Sequence, residues 1–155
     1  MEHIRVENIE QFNHYFHQPT YHPQVSVARL QDADLSLFEP TDFCMYCVVL
    51  MEVDFGELVL HDTCMRYRGG TMFTMKPGDV VSMNLDSRVK PHGWMLAFRP
   101  EQLNGTGLGR DFYMFNFFEY KVAEALELFD SERRVIINCF NNIYTELQAP
   151  DDELT

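Results

Sequence analysis

The sequence predicts a mostly β domain, a barrel or sandwich of short strands followed by two helices appended at its C-terminal end. Three observations predict it. Residues 25–100 are a series of short apolar runs separated by turn residues, and residues 120–148 carry apolar positions at helical spacing. The 155 residues, 46% hydrophobic and 14% aromatic, suit a single packed domain.

Taken in order, residues 1–24 read as a polar N-terminal arm that could fold over the barrel opening as a lid. Eight strands then follow: VSVARL (25–30), LSLF (35–38), FCMYCVVLMEV (43–53), ELVLH (57–61), TCMRYR (63–68), TMFTM (71–75), DVVSMN (79–84) and GWMLAF (93–98). Arg68-Gly69-Gly70 and Lys76-Pro77-Gly78-Asp79 have turn chemistry, with proline to preset one residue and glycine to take the left-handed one. Residues 101–119 form a glycine-rich loop and an aromatic segment. The loop lacks the spacing of a phosphate-binding loop, and aromatics as dense as those from Phe112 to Tyr120 must seal a barrel end or an interface.

The first predicted helix, YKVAEALELF (120–129), puts Val122, Ala125, Leu126 and Phe129 on one face. Asp130 or Ser131 is then placed to cap a second helix of about 17 residues, with Glu132 in its first turn. Val135, Ile136, Cys139, Phe140, Ile143, Tyr144 and Leu147 draw its apolar stripe. That stripe either packs on the outer face of the sheet or meets its copy in a second subunit, as a homodimer contact; the pattern leaves both open. Residues 149–155 read as the start of a linker.

Charge and composition exclude several functions. Twenty-four acidic against twelve basic residues give a formal charge of -12, which repels a phosphate backbone, so this chain alone should not bind nucleic acid. No basic segment precedes an apolar run at the start, and no apolar stretch approaches the roughly 18 residues of a membrane span. Cys44, Cys47, Cys64 and Cys139 lie in apolar stretches, and the Cys44-x-x-Cys47 pair, which alone could suggest zinc or redox chemistry, is followed by no second pair at zinc-ribbon spacing, as expected of free thiols in a reducing cytoplasm. Within one strand, Cys44 and Cys47 would point to opposite faces.

Catalytic patterns are equally sparse. The histidines His3, His14, His17, His22, His61 and His92 lack the His-x-His spacing that converges on one ion, and no nucleophile elbow is present. The carboxylate pairs Asp32/Asp34 and Asp151/Asp152 sit in polar stretches and read as solvated surface. No catalytic residue, metal ligand or cofactor is assigned, and the chain is read as a non-enzyme. The rival enzyme reading is a small metal-dependent barrel using His61, His92 and a nearby carboxylate; a stand-alone small-molecule-binding protein is a third. Candidate ligand contacts are His92 and Trp94 at a strand end, Arg29 as a lone charge between Ala28 and Leu30, and the strand tyrosines Tyr46 and Tyr67.

His22-Pro23, Lys76-Pro77-Gly78-Asp79, Gly93-Trp94 running into Phe98-Arg99-Pro100, Phe117-Phe118-x-Tyr120, Glu124-Ala125-Leu126, Ser131-Glu132 and Glu146-Leu147 occur in order over nearly the whole chain. Together they resemble the N-terminal regulatory domain of AraC-type transcription regulators. The resemblance implies a cupin-like β-barrel, a double-stranded β-helix or jelly roll, that senses a small-molecule effector. It also implies helices that dimerise, and DNA binding only through a C-terminal helix-turn-helix domain not present in this chain. His92-Gly93-Trp94 is similar to the His-x-Trp pattern of the family's arabinose-responsive member, where both side chains belong to the sugar pocket. An indole can stack on a sugar's C–H face while an imidazole bonds a hydroxyl.

Overall fold

The computed structural model describes residues 4–33, 39–52, 56–60, 63–84, 92–99 and 126–148. Their strands are β1 (Ile4–Arg5), β2 (Val25–Arg29), β3 (Thr41–Asp42), β4 (Tyr46–Met51), β5 (Gly56–Leu60), β6 (Thr63–Tyr67), β7 (Thr71–Met75), β8 (Val80–Asn84), β9 (Gly93–Phe98) and β10 (Leu126–Glu127). The helices are α1 (Ile9–Tyr15) and α2 (Asp130–Leu147), and a 3-10 turn spans Leu30–Asp32. The strands form two five-stranded sheets, ordered β1-β3-β8-β5-β6 and β10-β7-β4-β9-β2. Apart from the parallel β1–β3 pair, the ladders are antiparallel.

Seven of the eight expected strands are present within a residue or two, or, for β4, three; the expected strand 35–38 lies outside the described residues. The turn between β7 and β8 works as its sequence dictates. Gly78 takes φ 94° and the Asp79 N–H closes onto the Lys76 carbonyl at 3.0 Å. Gly93 answers a different need. It starts β9 at φ 152°, where a Cβ would come within 2.0 Å of the Leu50 carbonyl oxygen, so no side chain fits between β9 and β4.

The main core lies between the sheets and includes Ala28, Met45, Cys47, Val49, Met51, Leu58, Leu60, Phe73, Met75, Met95 and Ala97. The N-terminal segment expected as an arm is built into this core. Seven residues of helix are too few to persist alone, but Ile9, Phe12 and Phe16 are buried to 1% exposure or less, about 1.5–3 kcal/mol each. Asn8 caps α1 by accepting the Gln11 N–H at 2.8 Å. At the other end His17 turns left-handed, φ 58°, and the Gln18 N–H returns to the Asn13 carbonyl at 2.9 Å.

Two expectations about the C-terminal region change. Residues 126–127 pair with β7, Leu126 opposite Met72 and Glu127 opposite Thr71, so the helix expected over 120–129 does not extend through its last residues. One C-terminal helix is therefore described; residues 120–125, the loop and aromatic segment 101–119 and the tail 149–155 lie outside the described residues. The cap of α2 sits one residue early, at Phe129, whose N–H donates to the Glu132 carboxylate at 3.0 Å. Cys44 also departs from expectation. It precedes β4 at φ 52° and is not a strand residue, which removes the basis for placing it opposite Cys47.

Candidate functional site

Strand alternation splits β9 between two environments. Met95 and Ala97 enter the core between the sheets, whereas Trp94 and Leu96 point to the outer face of the second sheet, beneath α2. The register sets Arg29, Trp94, Leu50 and Met72 side by side across four strands. Over this row α2 lays Ile136, Phe140, Ile143, Tyr144 and Leu147, forming a second apolar cluster with Val27, Leu50 and Trp94. Five of the seven stripe residues thus pack on the sheet. Val135, 59% exposed, and Cys139, also exposed, lie away from it.

Trp94 is the centre of this seam. Its ring stacks on Phe140 with centroids 6.0 Å apart and planes at 13°, and meets Tyr144 edge-on at 5.9 Å. Arg29 completes it, its guanidinium carbon 5.4 Å from the Trp94 ring centroid and 5.0 Å from that of Tyr144. Cation–π contacts of this kind contribute about 0.5–2 kcal/mol each. The Arg29 Nε is nevertheless buried with no hydrogen-bond partner, a cost of about 1–3 kcal/mol that roughly offsets the ring contacts. Among the described residues no carboxylate pairs with Arg29.

The other candidates are dispersed. His92 sits half-exposed at the rim, its Nδ1 3.4 Å from Glu52 Oε2 and its Nε2 3.4 Å from the Gln31 side-chain nitrogen. Gln31 in turn accepts the Gly93 N–H at 3.2 Å, and the Glu52 N–H donates to the His92 carbonyl at 2.8 Å. Glu52 is mostly buried but His92 is half-exposed to water, which keeps the pair's contribution small, about 1 kcal/mol or less. Tyr46 stacks on Phe98 at 6.0 Å, at the opposite end of β9 from Trp94. Tyr67 lies in the main core at 2% exposure, its hydroxyl buried without a partner, and burial pushes its pKa up to about 12.

The structure therefore joins Arg29 to Trp94, and adds Tyr144 from the predicted helix stripe. It sets His92 with Glu52 and Gln31, and leaves Tyr46 and Tyr67 apart from both groups. Glu52 and Gln31 were not among the candidates. Nothing in their local sequence marks them, since only cross-strand folding brings them to His92. A small cleft of about 10 Å³, the order of one water, opens beside the seam between β2 and the last turn of α2, lined by Tyr21, Val25, Val27, Tyr144 and Leu147 among others.

Among the described residues no three or more His, Cys, Asp and Glu side chains converge as a metal site, and no helix is long and apolar enough to cross a membrane. His61 lies outside the described residues. No known protein-family model matches this chain, and no curated protein sequence matches it.

Proposed function

We propose that this chain is the effector-sensing and dimerisation domain of an AraC-type transcription regulator, with its two sheets forming the family's cupin-like jelly roll. One observation carries the reading. Helix α2 is docked on the sheet by one face, while Val135 and Cys139 on its other face stay exposed. A helix so placed can report the state of the sandwich to a neighbour. An effector, a sugar or another small molecule, would favour one seating of α2, and that shift in population would reach a helix-turn-helix domain following this chain. The module works in the cytoplasm as a homodimer and performs no catalysis.

Sedimentation equilibrium tests it. The chain should run as a dimer and Val135→Asp as a monomer with unchanged circular dichroism, and the reading frame should continue past Thr155 into two basic helix-turn-helix units. A monomeric parent chain, or a stop codon after Thr155, would contradict the proposal. The His92–Glu52 pair favours a second reading, a metal-dependent enzyme that also uses His61. Protein purified without chelator would then carry near-stoichiometric iron, zinc, manganese or nickel.

A further inference from the structure

Arg29 is the most unusual charge among the described residues. The chain has twice as many acidic as basic residues, yet among the described residues this guanidinium has no carboxylate partner and is held by two aromatic rings. Its Nε is buried with no acceptor. Buried polar groups without partners are rare, and one on a permanent cation calls for an anion. The rings fix the plane of the guanidinium without using any of its five donors.

We propose that the α2 seam binds a small organic monocarboxylate, its carboxylate on the free guanidinium donors of Arg29 and its apolar body in the adjoining cleft. Three features select that class. A planar guanidinium pairs with a carboxylate through two parallel hydrogen bonds. The cleft, which meets Arg29 through the shared ring of Tyr144, is walled by Val25, Val27, Leu147 and Tyr21 with the uncharged polar side chains of Gln18, Ser26 and Gln148, so it offers no cation to a second negative charge. A formal charge of -12 opposes ligands with several negative charges, so a single carboxylate is preferred to a phosphate.

The cleft as it stands has space for about one water, so the ligand's body enters only as the last turn of α2, which carries Tyr144 and Leu147, moves outward. Binding and helix position are thereby linked: whatever favours the displaced turn favours the ligand, and the reverse. As the site of the effector, this inference rests on the sensor reading above; as a binding site, it does not.

The test is a titration of the chain with benzoate, with benzamide as its neutral isostere and inorganic phosphate as the alternative anion, at fixed ionic strength. It is followed by calorimetry and by emission of Trp94, the sole tryptophan. Benzoate should bind with a dissociation constant of about 1 mM or tighter and shift Trp94 emission, with benzamide and phosphate silent. Arg29→Gln should weaken benzoate at least about tenfold, and Arg29→Lys, which keeps the charge but not the fork, should fall between. Equal binding of benzoate and benzamide, undiminished binding by Arg29→Gln, or phosphate binding without benzoate binding overturns the proposal. The benzoate–benzamide comparison needs no variant, so it stands even if Arg29→Gln fails to fold. A stop codon after Thr155 would remove the regulator reading and leave the titration unaffected, whereas silent benzoate with a continuing frame removes only this site.

Discussion

Helices α1 and α2 pack on opposite faces of the same sheet, and they are held in different ways. Against the inner face, α1 buries Ile9, Phe12 and Asn13 out of seven residues; on the outer face, α2 fully buries only Phe140 out of eighteen. Strand β2 serves both, with Ala28 in the inner cluster and Val27 in the outer one. The treatment of polar groups differs most. Asn13 donates to Thr20 at 2.9 Å, while its oxygen accepts from Gln18 at 2.7 Å and from Ser26. Gln18 also reaches the Val27 carbonyl at 3.1 Å. Across the sheet, the Arg29 Nε has no acceptor at all. The inner helix is packed into the main core with its Asn13 bonded, and the outer one is a seam in which the buried Arg29 Nε has no acceptor among the described residues.

Substitutions can break or sharpen that contrast. Phe12→Ala should be the most damaging, at roughly 3–5 kcal/mol in chemical denaturation, because Phe12 is fully buried and its aromatic neighbours Phe16 and Phe43 cannot collapse into the space. Phe140→Ala, beneath a helix with an exposed outer side, should cost about 2 kcal/mol, since α2 can settle toward the sheet. Equal losses at the two sites would erase the distinction.

Asn13→Ala should cost about 1–3 kcal/mol by stranding Ser26 and Gln18. A loss below about half a kcal/mol would mean that the inner network is no tighter than the outer seam.

Tyr67→Phe should have the smallest effect near neutral pH, within about 0.5 kcal/mol of the parent or slightly stabilising, because its hydroxyl has no partner to lose. At high pH the parent should fall behind this variant. The folded state holds the Tyr67 proton up to about pH 12, whereas the unfolded chain releases it near its ordinary value of 10.0, so the unfolded state binds fewer protons between the two and stability drops as pH rises through that window. Parallel denaturation curves for the two proteins across that range would contradict the burial of the hydroxyl.

Much of the sheet structure was legible because its strands are short apolar runs bounded by turns with strong local chemistry, Lys76-Pro77-Gly78-Asp79 above all. The exceptions have physical causes. Leu126-Glu127 fits a helical pattern, but ladder bonds to Met72 and Thr71 decide its conformation. Helix α1 hides in a polar-looking segment of His, Asn and Gln, although Asn8 with Gln11 as cap, and Ile9, Phe12 and Phe16 at helical spacing, were the signal for it. β1 and β3, two residues each, carry no readable period.

At the candidate site, the sequence marked Arg29 and Trp94 singly, as a lone charge and a lone indole. Their pairing is a matter of register, and Tyr144 joins them only because the helix stripe lands on the sheet. His92 looked adjacent to Trp94, but the strand turns the indole under α2 while the imidazole stays at the rim with Glu52.

Native-state amide hydrogen exchange, read residue by residue, compares the two helices most directly. The amides of α1 closed within the helix, such as Phe12, should exchange only through global unfolding, while those of α2 from Phe140 to Leu147 should exchange through a local opening of distinctly lower free energy. Protection of α2 equal to that of α1 would contradict a movable outer helix.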